Sequence, residues 1–120
     1  MGKTLIKISV IYFALGVSFG LYMSAVHIFD LATIHVHLNL LGWVSLALAG
    51  IIYQIFPNLA KTKLAHFHFW LHNIGLPIMM LSIAFAILGA GGFFFITATI
   101  GGVITVLGIF CFSINIASHL

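Results

Sequence analysis

Charge is what this sequence has least of. Its 120 residues include four lysines, no arginine, no glutamate and a single aspartate, so 4% of the chain is charged where a soluble domain carries about 25%. Such a surface cannot be covered in water, which excludes a water-soluble globule. Four scattered cations also exclude a nucleic-acid partner, whose phosphates need clustered basic residues. Cysteine is nearly absent too. Cys111 is alone, so no intrachain disulfide exists, and its place in an apolar run reads as helix packing. There are two prolines, so long helices are interrupted at few points.

What is present is apolar: 63% of the residues. At about 20 residues per membrane crossing, the length accommodates four helices and no soluble domain. The fold class expected is an all-α integral membrane protein, one four-helix transmembrane bundle over residues 1–120. Helix one is expected over Leu5 to Phe29. Its apolar run from Ile8 to Phe29 exceeds the about 7–15 residues of a signal-peptide core, so it reads as a retained span. Gly16 and Gly20 form a G-x-x-x-G, a possible close-packing face. Asp30 to Ile34 is a short turn. Helix two is expected over Thr33 to Phe56, ending at Pro57. Helix three is expected over Leu64 to Leu88, with a kink near Asn73 to Gly75 caused by Pro77. Gly89, Gly91 and Gly92 make the next turn, and helix four follows over Phe93 to Ala117, a scaffold with His119 at its end.

Four antiparallel spans put Lys3 and Lys7 at the same end as Lys61 and Lys63. By the positive-inside rule that end is cytoplasmic, so both termini are expected inside the cell and Asp30 outside, in a multi-pass protein of the inner (cytoplasmic) membrane.

Seven histidines carry the chemistry, because ionisable groups in a span are costly and usually functional. At one end lie His27, Asp30, His35 and His37. Two residues along a helix is a turn of about 200°, so His35 and His37 leave opposite sides of helix two. They are badly placed to chelate one ion and well placed to ligate two different ones. A helix standing between two planar haems satisfies that geometry, histidine being a common axial ligand. The plainer alternative is that one ligates and the other is structural. At the lysine end lie His66, His68 and His72. His68 and His72, at i and i+4, share a face and are weaker candidates for a transition metal. A structural role is the competing reading, since no cysteine or carboxylate completes a set. His119 reads as a helix-end histidine. Trp43, six residues past His37, packs either near a macrocycle or against another helix. No catalytic residue is evident.

The stretch His27 to Pro57, HIFDLATIHVHLNLLGWVSLALAGIIYQIFP, resembles the tenth helix of the catalytic subunit (subunit I) of haem-copper oxidases and nitric oxide reductases. There an acid precedes a His-x-His pair, and a small-residue apolar helix ends in aromatic-Phe-Pro. The following AHFHFWLHNIGLP resembles the family's next helix through His68-Phe69 and Gly75. The resemblance covers residues 27–90. It implies that His35 and His37 ligate two haems on opposite flanks, and that His27 and Asp30 lie near haem propionates. The family subunit has twelve helices in three arcs of four, so a homotrimer of this chain would rebuild its outline. His35 of one copy and His37 of the next would then share one haem b.

The family's three copper histidines are not reproduced, nor are its carboxylate proton channels. No tyrosine is suitably spaced from a histidine on helix two to form its cross-linked pair. The expected function is therefore a b-type cytochrome passing electrons within the membrane, with quinol or another respiratory carrier as partner. Alternatives are a haem-based oxygen or nitric oxide enzyme or sensor (an oxidoreductase, if an enzyme), and a copper- or zinc-handling oxidase assembly protein.

Overall fold

In hydrocarbon no water is available to backbone N–H and C=O groups, so each must be paired within the chain, and a helix does this segment by segment. The structure, a computed structural model covering residues 1–120, follows that constraint. Of its 99 backbone–backbone hydrogen bonds, 85 lie within helices. Four helices are long and apolar enough to cross a membrane: α1, Gly2–Val26; α2, Ala32–Ile55; α3, Lys63–Ile87; and α4, Phe93–His119.

Local chemistry sets the ends. α1 stops where His27 adopts a left-handed conformation, φ 54° and ψ 33°, a frequent helix terminator. α2 stops at Phe56, because a residue before proline is pushed out of the helical region. A short 3₁₀ turn, Leu59–Lys61, follows. Thr62 then caps α3, its hydroxyl oxygen accepting from the Ala65 N–H at 3.1 Å. The same hydroxyl has one hydrogen and two acceptors in reach, Asn115 Oδ1 at 2.8 Å and the Leu59 carbonyl at 3.1 Å. The shorter contact is the better bond. The Asn115 amide N–H meets the Leu59 carbonyl at 3.0 Å, so the buried Asn115 ties the end of α4 to the loop between α2 and α3.

α2 is not uniform. Residues Leu38–Ser45 form a π-helical segment between α-helical Ala32–His37 and Leu46–Ile55. The regular helix expected from the sequence is therefore interrupted just after His37. π-Segments are rare and concentrate at functional sites. Pro77, by contrast, sits inside an unbroken α3.

The helices pair as two hairpins. α1 lies on α2, α4 on α3, and α2 meets α3. The Cα envelope measures 46 × 29 × 18 Å. With axes about 8–10 Å apart and Cα atoms about 2.3 Å from each axis, a square bundle would span roughly 15 Å both ways. The molecule is instead a flattened row. α2 and α3 form its middle, 33% and 39% buried, and α1 and α4 its flanks, 17% each. One end of the molecule, the lysine end, holds Lys3, Lys7, Lys61 and Lys63, and the other, the aspartate end, holds His27 and Asp30. Near the lysine end Leu5, Leu46, Ala49, Tyr53, Leu59 and Ala65 form one apolar cluster. Toward the aspartate end Ile34, Leu38, Leu76, Met79 and Met80 form another.

The α3–α4 hairpin is held by direct backbone approach. A Cβ on Gly101 would lie 2.5 Å from the Met79 nitrogen, a backbone atom that cannot swing away. Gly101→Val should therefore destabilise the protein by about 1–3 kcal/mol, seen as a lower thermal midpoint by circular dichroism in detergent. Gly92→Ala, which meets nothing within 4 Å, should leave the midpoint in place. Equal midpoints for both variants would mean that the hairpin does not depend on this contact.

Candidate functional site: two histidine pairs

His35 and His37 stand in the last α-helical turn of α2 before the π-segment. The His35 ring is turned toward α1 and lies across the Gly16–Gly20 face. A Cβ on Gly20 would sit 2.7 Å from His35 Cε1. The G-x-x-x-G therefore admits two side chains of α2, the Asn39 amide over Gly16 and the His35 imidazole over Gly20, rather than a second bare backbone. His35 Nδ1 lies 2.7 Å from the Gly16 carbonyl and 3.3 Å from the Asn39 amide nitrogen. A carbonyl only accepts, so Nδ1 carries the hydrogen and donates to Gly16. The Asn39 contact then sets donor against donor and is no bond. Asn39 instead donates to the His35 carbonyl at 2.9 Å.

His37 Nδ1 donates to the Thr33 carbonyl at 2.7 Å. This local bond to the residue four before is also made by His66 to Thr62 and by His119 to Asn115. It fixes a tautomer without marking His37 out. In both His35 and His37 the ligating electron pair is consequently on Nε2. Both residues are half-buried, and no buried side-chain nitrogen or oxygen lacks a hydrogen-bond partner, so each Nε2 reaches the surface of the chain.

His27 and Asp30 are both exposed in the turn between α1 and α2. Trp43 stacks on Phe13 of α1, ring centroids 4.5 Å apart and planes 26° from parallel. Within one chain it packs helix on helix, the plainer of the two sequence readings.

The second pair is organised differently. His68 and His72 are each 1% exposed and belong to one chain of contacts between α2 and α3. The Tyr53 hydroxyl is 3.1 Å from His68 Nδ1, His68 Nε2 is 3.3 Å from His72 Nδ1, and His72 Nε2 is 3.0 Å from the Leu41 carbonyl. The carbonyl settles every proton. It accepts, so His72 carries its hydrogen on Nε2 and offers a bare Nδ1. His68 must then donate from Nε2, which leaves its Nδ1 to accept from the Tyr53 hydroxyl. All three polar side chains are satisfied with neutral rings, as burial without a counter-ion requires.

That bonding accounts for His68 and His72 without a metal. No group of three or more His, Cys, Asp or Glu side chains that could hold a metal ion comes together anywhere in the chain, so their standing as metal candidates gains nothing from the structure. A cavity of about 230 Å³ lies beside them, lined also by Ser45, Ala49, Phe112 and Ser113. Sequence reasoning missed Tyr53 and the Leu41 carbonyl. No tyrosine is spaced to meet a histidine of its own helix, and Tyr53 of α2 meets one on α3. The Leu41 carbonyl carries no side-chain signal at all.

Comparison with protein families, with curated proteins and with solved structures gives no match for this chain. The reading of the site therefore rests on its own geometry and on the motif resemblance over residues 27–90.

The two pairs should differ in tautomer. ¹⁵N-histidine solid-state NMR in bilayers at neutral pH should show His35 and His37 protonated on Nδ1, and His68 and His72 on Nε2. The same tautomer throughout would refute the proton assignment. Removing a link should also cost stability. His72→Leu leaves His68 Nε2–H and the Leu41 carbonyl unpaired, at about 1–3 kcal/mol for each buried group. His66→Leu, at an exposed site, should stay within about 0.5 kcal/mol of the parent. Denaturant unfolding in detergent separates the two.

Proposed function

We propose that this chain is the protomer of a membrane-embedded haem b protein, a b-type cytochrome related to subunit I of the haem-copper oxidases. On this reading three copies form a ring, and each haem sits between two of them, ligated by His35 of one and His37 of the next. The observation that carries the reading is the state of the outer pair. Both Nδ1 hydrogens are committed to backbone carbonyls, of Gly16 and Thr33, which leaves both Nε2 atoms as surface-reaching donors about 200° apart around α2.

The donor set fits a haem iron. A ligating histidine ordinarily gives its other N–H to a carbonyl or carboxylate, which fixes the ring and raises its basicity. The Gly16 carbonyl does this for His35 from a neighbouring helix, and the Gly20 surface sets the ring's tilt. The Thr33 carbonyl does it for His37. Haem so held supplies a one-electron iron couple, and with two imidazoles per iron it has no position for a gas. The apolar residues of α1 and α2 would keep water from such an iron and so help set its potential. On this reading His27 and Asp30, exposed in the adjoining turn, would lie near the haem propionates, and Trp43 near the macrocycle's edge. The flattened-row shape supports the ring: one row has two broad faces and needs further copies to enclose anything. Electrons would come from quinol or another membrane carrier. By the positive-inside rule the lysine end and both termini face the cytoplasm, in the inner membrane.

Purified protein reconstituted with haem should give the spectrum of low-spin reduced haem b, unchanged by carbon monoxide, at about one haem per chain in a trimer by mass in detergent. His35→Ala and His37→Ala should each abolish the Soret band. Gly20→Ala, which displaces the His35 ring, should cut haem affinity by about tenfold. His119→Ala should bind as the parent does. A shift on adding carbon monoxide would favour the gas-binding alternative. Full haem content in both histidine variants would sink the assignment.

A further inference from the structure

The first two turns of α3 carry a stripe that none of this uses. Lys63, His66, Phe67 and Trp70 follow the 0, 3, 4, 7 spacing of one helix face, and all four are exposed. With Lys61 from the preceding turn they line a single cavity of about 310 Å³ at the lysine end. We propose that this cavity is a seat for one anionic phospholipid, its phosphodiester on Lys61 and Lys63 and its upper acyl chain on Phe67 and Trp70.

Charge is the first argument. Two lysines line the cavity and no acidic side chain does. The only acid, Asp30, lies in the turn between α1 and α2, at the other end of a molecule 46 Å long. His66 spends its Nδ1 hydrogen on the Thr62 carbonyl, so its ring walls the cavity and leaves the phosphate to the lysines.

Polarity along the stripe is the second, and it selects a lipid over a free phosphate. Below the cations come Phe67 and Trp70, 57% and 60% exposed, and then Ile74 and Leu81, 48% and 61% exposed. Cationic tips, then aromatic rings, then bare aliphatic surface reproduces in order the headgroup, interface and hydrocarbon of one leaflet. Trp70 is seven residues beyond Lys63, about 10 Å along the axis, the depth of the boundary between headgroup and acyl chain. An inorganic anion would use the top of this stripe alone. The inference does not depend on the haem reading.

Native mass spectrometry of the full chain in detergent tests it, with phosphatidylglycerol titrated against phosphatidylcholine of the same acyl chains. Phosphatidylglycerol should be retained at least tenfold better. The double variant Lys61→Gln, Lys63→Gln should lower its affinity by about fivefold per lysine. Lys3→Gln, Lys7→Gln removes the same charge from the same end and should change nothing. Trp70→Leu, which leaves the charge intact, should weaken phosphatidylglycerol alone and keeps the test decisive if a lysine variant folds poorly. Equal retention of the two lipids overturns the proposal. So do equal losses from the two lysine pairs, which would mean diffuse attraction. So does competition by glycerol phosphate as strong as by the lipid, which would mean a phosphate site.

Discussion

The hydrogen bond from His72 Nε2–H to the Leu41 carbonyl, 3.0 Å long, is the contact on which the arrangement turns. Lipid tails are as apolar as leucine, so little hydrophobic drive exists to press two helical hairpins together. Packing and buried polar bonds must do it. The two hairpins have tight interfaces of their own, α1 on α2 and α3 on α4. Between them, the polar links are His72 to Leu41 and Tyr53 to His68. The first also dictates the second. Because a carbonyl can only accept, it fixes the tautomer of His72, then of His68, then the direction of the Tyr53 hydroxyl. Reversing one tautomer would set donor against donor between two buried rings.

The π-segment is what brings this about. At 3.6 residues per turn His35 and Tyr53, about five turns apart, would share one face of a regular α-helix. They do not. His35 rests on Gly16 and Gly20 of α1, and Tyr53 reaches His68 of α3. The wider turns of Leu38–Ser45 take up the difference in phase, and within them the Leu41 carbonyl receives the His72 ring. Rephasing lets one helix serve two partners: its aspartate-end half holds an imidazole against α1, and its lysine-end half anchors the polar chain to α3. The irregular backbone is tolerable at this depth only because protein groups occupy its polar atoms.

Much of this was legible in the sequence. Four spans, their approximate limits and the divergence of His35 from His37 follow from apolar run length and from the 100° step of a helix. The burial of His72 follows from its place in a span. The π-segment does not, because LNLLGWVS carries no proline or other breaker, and its cause is tertiary, in the contacts of α2 with two different helices. Nor does the pairing of Tyr53 with His68, whose partners stand on separate helices in a register that only packing fixes. The Gly16–Gly20 motif was visible, but its occupant was not. Spacing marks a notch in a helix and is silent on whether a backbone or a ring fills it.

The same geometry bears on why one copy would be insufficient. On the proposed reading each iron needs two imidazoles, and a chain offers them on opposite sides of one helix. No folding of a single protomer brings both Nε2 atoms to one metal, since the carbonyls of Gly16 and Thr33 hold each ring in place and about 200° of α2 separates them. A protomer then completes half of two sites and the whole of none. Haem would stabilise the ring by binding the assembled state over its parts, so that cofactor loading and oligomerisation become one equilibrium. Within each copy the inner histidines are bonded to one another and to Leu41, which on that reading would keep them from competing for an iron. Both uses of histidine rest on the same device, a backbone carbonyl that fixes which ring nitrogen is free. Where it takes Nδ1–H it leaves a surface-facing ligand atom, and where it takes Nε2–H it closes a buried chain.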